Sequence, residues 1–307
     1  MTGSGTQADP YIITTIAELY SMGDTGGASV YFKLGNDLDF DGTTFSTIPL
    51  KCAKFDGNGK MLRNIVYNNP SSTSSIFNVM RSSTTIFENL TVENLIITGS
   101  SVSFFSSAYA PTIEMTNCSF SGYVSYGTAS TQSTAYKGLI NDSNTIVKME
   151  LCTLALKIDY VTAVAVICRG YIKHSQLRLE ITALNFASVA TNADGLFSNT
   201  TVTDSYLFGS ISKTNASGNT DDYLFSNSNT YFSNFYSVFT FGAGISTVHW
   251  KGTISTPCFY DSEVTFADHT VTFNVGTNPG NLFALTTAQA KDVSYLRSIG
   301  FNCEEGV

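Results

Sequence analysis

The side chains of this 307-residue chain that could carry chemistry are its carboxylates, three histidines and six cysteines. Along "NDLDFDG" the residues Asp37, Asp39 and Asp41 alternate, so a strand would turn all three to one side. Hard oxygen ligands in that arrangement suit Ca²⁺. The plainer use of the same residues is turn hydrogen bonding ahead of Gly42, and no metal site is assigned. Glycoside hydrolysis needs two carboxyl groups about 5–10 Å apart across a groove. Asp142, Asp159, Asp194 and Asp204 fall in different phases of the repeat described below. Asp221 and Asp222 sit in "NASGNTDDYL", which reads as a turn, and Asp261 and Glu263 share one strand face in a segment that reads as structural. Lys and Arg are too scattered to serve a lyase. The expectation is a protein with no catalytic residue, no cofactor and no metal.

Cys52, Cys118, Cys152, Cys168, Cys258 and Cys303 form no CxxC, and their long irregular gaps argue against a zinc cluster. They read as small buried apolar side chains in a protein assembled under reducing conditions. The net charge of −8 and the lack of any basic cluster exclude a nucleic-acid surface. No apolar run approaches the ~20 residues of a membrane-spanning helix. Only 13% of residues are charged, so solubility rests on hydroxyls and amides. "FDGNG" has the glycines of a tight turn without a phosphate-loop lysine.

The elements that position these groups show up as an internal repeat. Segments such as "SIFNVMRSSTTIFENLTVENLIITG" and "GLFSNTTVTDSYLFGSIS" each open on a short apolar pair, cross a polar stretch, then alternate apolar with small or polar residues. Anchors at Phe77, Phe105, Ile140, Ile167, Phe197 and Phe225 are 28, 35, 27, 30 and 28 residues apart. The longest interval holds "YGTASTQSTAYKG", which reads as a surface loop. Asn89, Asn117, Leu151, His174, Asp204 and Asn234 share one register, with Val92, Phe120, Leu154, Leu177, Leu207 and Val238 three or four positions later. Period-two alternation in repeats of about 28 residues is the pattern of parallel coils stacked about 4.8 Å apart. Equivalent residues then form ladders: Asn89 over Asn117 as amides, Cys118 near Cys152, and His174 as a turn residue. Hairpin dipeptides are too scarce for an antiparallel sandwich or propeller.

Both ends look like caps. "TTIAELYSMGD" reads as a helix capped by Thr14 or Thr15, and "LTTAQAKDVSYLRSIGF" as a second, capped by Thr286 or Thr287. With "VYFKLGNDLDFDGTTFSTIPL", "FDGNGKMLRNIVY" and "CFYDSEVTF", these ends resemble the GLUG-type repeat proteins. The Gly-Leu-Φ-Gly signature of that family is worn down here to "GLIN" and "GLFS". The resemblance implies an all-β chain: a single right-handed parallel β-helix with helical caps, divided as cap 1–50, coils 51–250 and closing segment 251–307. It also implies a surface or virion protein.

With no export leader in front of "MTGSGTQADP", the expectation is a non-enzymatic structural or receptor-binding component of a bacteriophage particle. The alternatives are a bacterial cell-surface adhesin and a polysaccharide depolymerase. Expected partners are a host surface glycan or other virion proteins, with a homotrimer or a monomer both open as the assembly, no nucleic acid and no membrane insertion. Candidate contacts are Tyr231 and Tyr236, in the alternating "YLFSNSNTYFSNFYSVFTF", and Tyr126 and Tyr136, in the loop insertion.

Overall fold

The computed structural model describes residues 1–80, 83–107, 109, 111–125, 145–161, 167–183, 196–213, 221–226, 229–242, 245–265 and 272–300. They are mostly strand, joined into a large sheet in which every pairing between named strands is parallel. Among the described residues the one antiparallel contact is an isolated bridge between Thr2 and Ile12. Most strands pair with partners two or three elements away along the chain, which is solenoid-like stacking. The stack begins at Tyr11–Ile13, paired with Tyr31–Leu34, so the first fifty residues contribute stacked strands as well as helices.

Alternation decides which side chains enter the core. One interior ladder runs Phe32, Phe55, Phe87, Met115, Met149, Ile172, Val202, Phe232 and Ile254, each in register with the next. All are buried. A second runs Leu38, Leu62, Val92, Phe120, Leu154, Leu177 and Leu207. Its next rung is Ser237, not Val238, because the strand keeps a three-residue offset from Asn234. Ser237 is buried while Val238 stacks on Phe208 at a half-buried position. The anchor residues Phe77 and Phe105 are register partners with rings stacked 5.8 Å apart, and Ile167 pairs with Phe197. Phe197 then meets Ser226 rather than Phe225, the strand carrying a register irregularity between Leu224 and Ser226. Ile140 lies outside the described residues.

Each stacked unit turns at one shared backbone geometry. Asn89, Asn117, Leu151, His174, Asp204 and Asn234 all have left-handed φ between 47° and 54°. Asn and Asp tolerate that region well. The N–H groups of Asn89, Asn117, Leu151 and His174 donate to the carbonyls of Thr116, Glu150, Lys173 and Thr203 in the adjacent unit. Side chains extend the ladder: the Asn117 amide donates to Asn89 Oδ1 at 2.8 Å, and the Asn234 amide to Asp204 Oδ1 at 2.6 Å. After four of these turns stand small buried residues that close them from inside. Ser175 and Ser205 donate to the carbonyls of Lys173 and Thr203 at 2.7 and 2.6 Å, and the thiols of Cys118 and Cys152 do the same toward Thr116 and Glu150.

Leu151 is the misfit of this column, a branched apolar residue with φ 54° and 58% exposed. Left-handed geometry costs an ordinary L-residue about 1–2 kcal/mol. Leu151→Asn is therefore expected to stabilise the protein by about 1 kcal/mol, read as a rise of roughly 2–4 °C in thermal midpoint. An unchanged or lower midpoint would show that the leucine compensates by packing.

The ends close as helices. Ile16–Tyr20 is capped by Thr15, whose hydroxyl accepts the Glu18 N–H, and buries Leu19; the following turn buries Met22. The Met1 ammonium, with the Thr14 N–H, holds the Glu18 carboxyl at about 2. At the other end the expected single helix is two, Thr287–Ala290 and Val293–Ser298. Asp292 breaks the run because its side chain accepts the Tyr295 N–H and starts a new helix, while Thr286 and Gln289 cap the first reciprocally.

Candidate functional site

Asp37, Asp39, Asp261 and Glu263, singled out by spacing, are occupied in holding the fold. Asp37 accepts the Met61 N–H at 3.1 Å. Asp39 accepts the Asn64 amide at 2.8 Å, the Asp41 N–H at 3.0 Å and Arg63 Nε at 3.0 Å, bonds that keep its carboxyl below the usual range. Among the described residues no three His, Cys, Asp or Glu side chains come together as a metal site. Asp261 is buried, accepting the Thr287 hydroxyl at 2.9 Å and the Glu263 N–H at 3.0 Å. Glu263 lies on the short helix Ser262–Thr265 instead of sharing a strand face with Asp261, and its carboxylate accepts the Thr287 N–H. Together the two pin the C-terminal helices. Asp221 and Asp222 belong to a strand, Asp221–Ser226, rather than to a turn. Asp142 and Asp194 lie outside the described residues.

His174 stands in the left-handed column with its ring nitrogens 3.7 Å from Glu150 and 3.6 Å from Asp204, half exposed between two units. Cys52, Cys118, Cys152 and Cys258 are buried and in no disulfide. The Cys152 thiol beside it, together with burial, pushes the Cys118 thiol up, and burial raises Cys258 to about 12. The bond to the Cys118 thiol in turn pulls the Cys152 thiol below its usual range, against the effect of burial.

The tyrosines divide. Tyr126 and Tyr136 lie outside the described residues. Tyr236 is half-buried, edge-on to Tyr206 at 6.3 Å and packed with Phe259 and Leu285; burial, with Asp261 nearby, pushes its phenol up. It is taken up inside the chain. Tyr231 is open, 51% exposed. Its register partner Thr201 pairs on the other side with Tyr171, 53% exposed. Two rings thus stand on one outward line, two coil rises or about 9.6 Å apart, with Thr201 between them and Thr253 beyond Tyr231. The residues beside this line are Lys173, Thr203 and Ser233, with Asp204 and Asn234 at the neighbouring turn. The sequence reading missed Tyr171 because it aligned apolar anchors. Carrying the register through to the outward positions would have found it.

A second feature is a groove near the N-terminal end, about 780 Å³, between the loop of residues 41–45 and the strand residues 64–68 and 94–96. Phe40, Phe45 and Tyr67 pack edge-on beneath it, with 5.5 Å between successive rings. Asp41 and Thr44 stand on its rim, and Val66 and Ile96 face into the opening.

Fold and surface together define a mostly β protein with a large parallel sheet, in which Asp37, Asp39, Asp261 and Glu263 serve the scaffold and Tyr171 and Tyr231 stand exposed. No family model matches the chain, and no curated protein matches it. Among solved structures it is similar to a Bacteroides ovatus protein provisionally named as an immunoglobulin A1 protease. The two are 14% identical with a TM-score of 0.48, over 97% of this chain and 90% of that one. A likeness of that degree carries no argument about activity.

Proposed function

We propose that the chain is a single right-handed parallel β-helix of the GLUG-repeat kind, serving as a non-enzymatic structural and receptor-binding component of a bacteriophage particle that contacts a host surface glycan. The observation that carries this reading is the outward line of Tyr171, Thr201 and Tyr231. Exposed rings offer a flat apolar face with a polar tip, suited to the C–H face of a sugar, and the hydroxyls and amides around them suit its O–H groups. The buried thiols held in no disulfide fit assembly in a reducing compartment before release. A rigid stack with laddered turns presents such a line without ordering a loop on binding.

The test is retention of host capsular or cell-wall polysaccharide by the purified protein, with reducing ends assayed in parallel. Binding without new reducing ends is expected, and Tyr171→Ala and Tyr231→Ala are each expected to weaken it roughly three- to tenfold. Release of reducing ends would replace this reading with a depolymerase. Finding the protein on the bacterial envelope instead of on particles would replace it with an adhesin. Light scattering near three chain masses would add a trimer to the assembly.

A further inference from the structure

The N-terminal groove contains the makings of a second, discrete site. Val66 and Ile96 are register partners whose side chains are 52% and 42% exposed, a pair of aliphatic groups left to water in a concavity floored by aromatic rings. Around them runs a polar chain with a defined direction. Asn64 donates to Asp39 Oδ1 at 2.8 Å and accepts from the Asn94 amide at 3.1 Å. That leaves the Asn94 carbonyl oxygen at the open end of the chain, without a partner among the described residues. The Asp41 backbone N–H is spent on Asp39, while its carboxylate likewise has no partner among the described residues.

The lining excludes several occupants. It contains no Lys, Arg or His, so a phosphate, sulfate or uronate would meet Asp41 with no counter-charge. A purely aliphatic chain would desolvate Asp41 and the amides with nothing to bond them. A simple amine would answer Asp41 and leave the apolar floor bare. The occupant that answers every group has an apolar face and several hydroxyls.

We propose that this groove binds a neutral sugar ring, one or two residues long. Its C–H face rests on Val66, Ile96 and Tyr67, and its hydroxyls donate to the Asp41 carboxylate and the Asn94 carbonyl. The inference rests on the reading that the protein contacts glycans, but the site is separate from the tyrosine line.

A glycan array bearing neutral, sulfated and uronate-containing saccharides of one to eight units tests it, probed with the full chain. The variants Val66→Lys, Asp41→Asn and Tyr231→Ala all sit at exposed positions, and circular dichroism confirms their folding. The expected result is retention of short neutral saccharides, weakened at least about tenfold by Val66→Lys and Asp41→Asn and unchanged by Tyr231→Ala. Equal binding of short neutral saccharides by Val66→Lys, or a preference for anionic ones, overturns the proposal. Binding confined to long saccharides and dependent on Tyr231 also overturns it, while leaving the tyrosine line standing. Retention of nothing at any length overturns both.

Discussion

Phe87→Ala is expected to lower the unfolding free energy by about 3–5 kcal/mol, seen as an earlier urea midpoint at unchanged slope. Phe87 is fully buried, in register between Phe55 and Met115, with ring centroids 6.1 Å from Phe55, 5.1 Å from Phe77 and 5.3 Å from Phe105. It therefore joins two interior ladders. Truncation leaves a hole that the surroundings cannot close, because the backbone on either side is held at fixed spacing by ladder bonds to neighbouring units. A loss below about 1 kcal/mol would show an interior able to repack, contrary to the register described above.

Gly209→Ala should be comparably damaging for a different reason. Gly209 lies within a strand at φ 125°, between Leu179 and Phe239 in one inward column. A β-carbon there would sit 1.9 Å from the Leu179 carbonyl oxygen, against backbone that cannot swing aside. Conformation and space both oppose it, so the expected loss is about 3 kcal/mol or more, or roughly 10 °C in thermal midpoint. Gly122, at φ 153°, where a β-carbon would sit 2.2 Å from the Leu95 carbonyl oxygen, is the same device three rungs earlier in that column. An unchanged midpoint for Gly209→Ala would mean that the strand reroutes by a bulge.

Much of the fold was readable because the turn column has chemistry of its own. Asn89, Asn117, Asp204 and Asn234 are residues that enter left-handed backbone readily, and their spacing carried Leu151 and His174 into the same register. The buried ladders followed from period-two alternation. The register failed at Ser237 and Ser226, where aligning apolar with apolar is misleading: bulky neighbours such as Phe235 and Phe239 fill the space and a serine suffices. Gly122 and Gly209 carried a signal that went unread, since a glycine inside a strand marks close backbone approach.

The surfaces were less legible. Tyr231 was visible in its alternating strand, but Tyr236 in the same strand is consumed by Tyr206 and the C-terminal segment, a packing that no local pattern encodes. The N-terminal groove draws on three stretches of chain that meet only after stacking. Asp41 looked like one of three equivalent aspartates, until Asp37 and Asp39 proved to be bonded and its own carboxylate did not.

The repeated left-handed turn has a consequence for how such a chain changes over generations. At Asn117, Leu151 and His174 the turn is satisfied by its own small buried residue and by one carbonyl of the unit beside it, so it asks nothing of more distant neighbours. Duplicating or excising one whole unit reproduces the same kinds of partner at the new junction. Length is thus open to selection in steps of about thirty residues, independently of what the surface recognises.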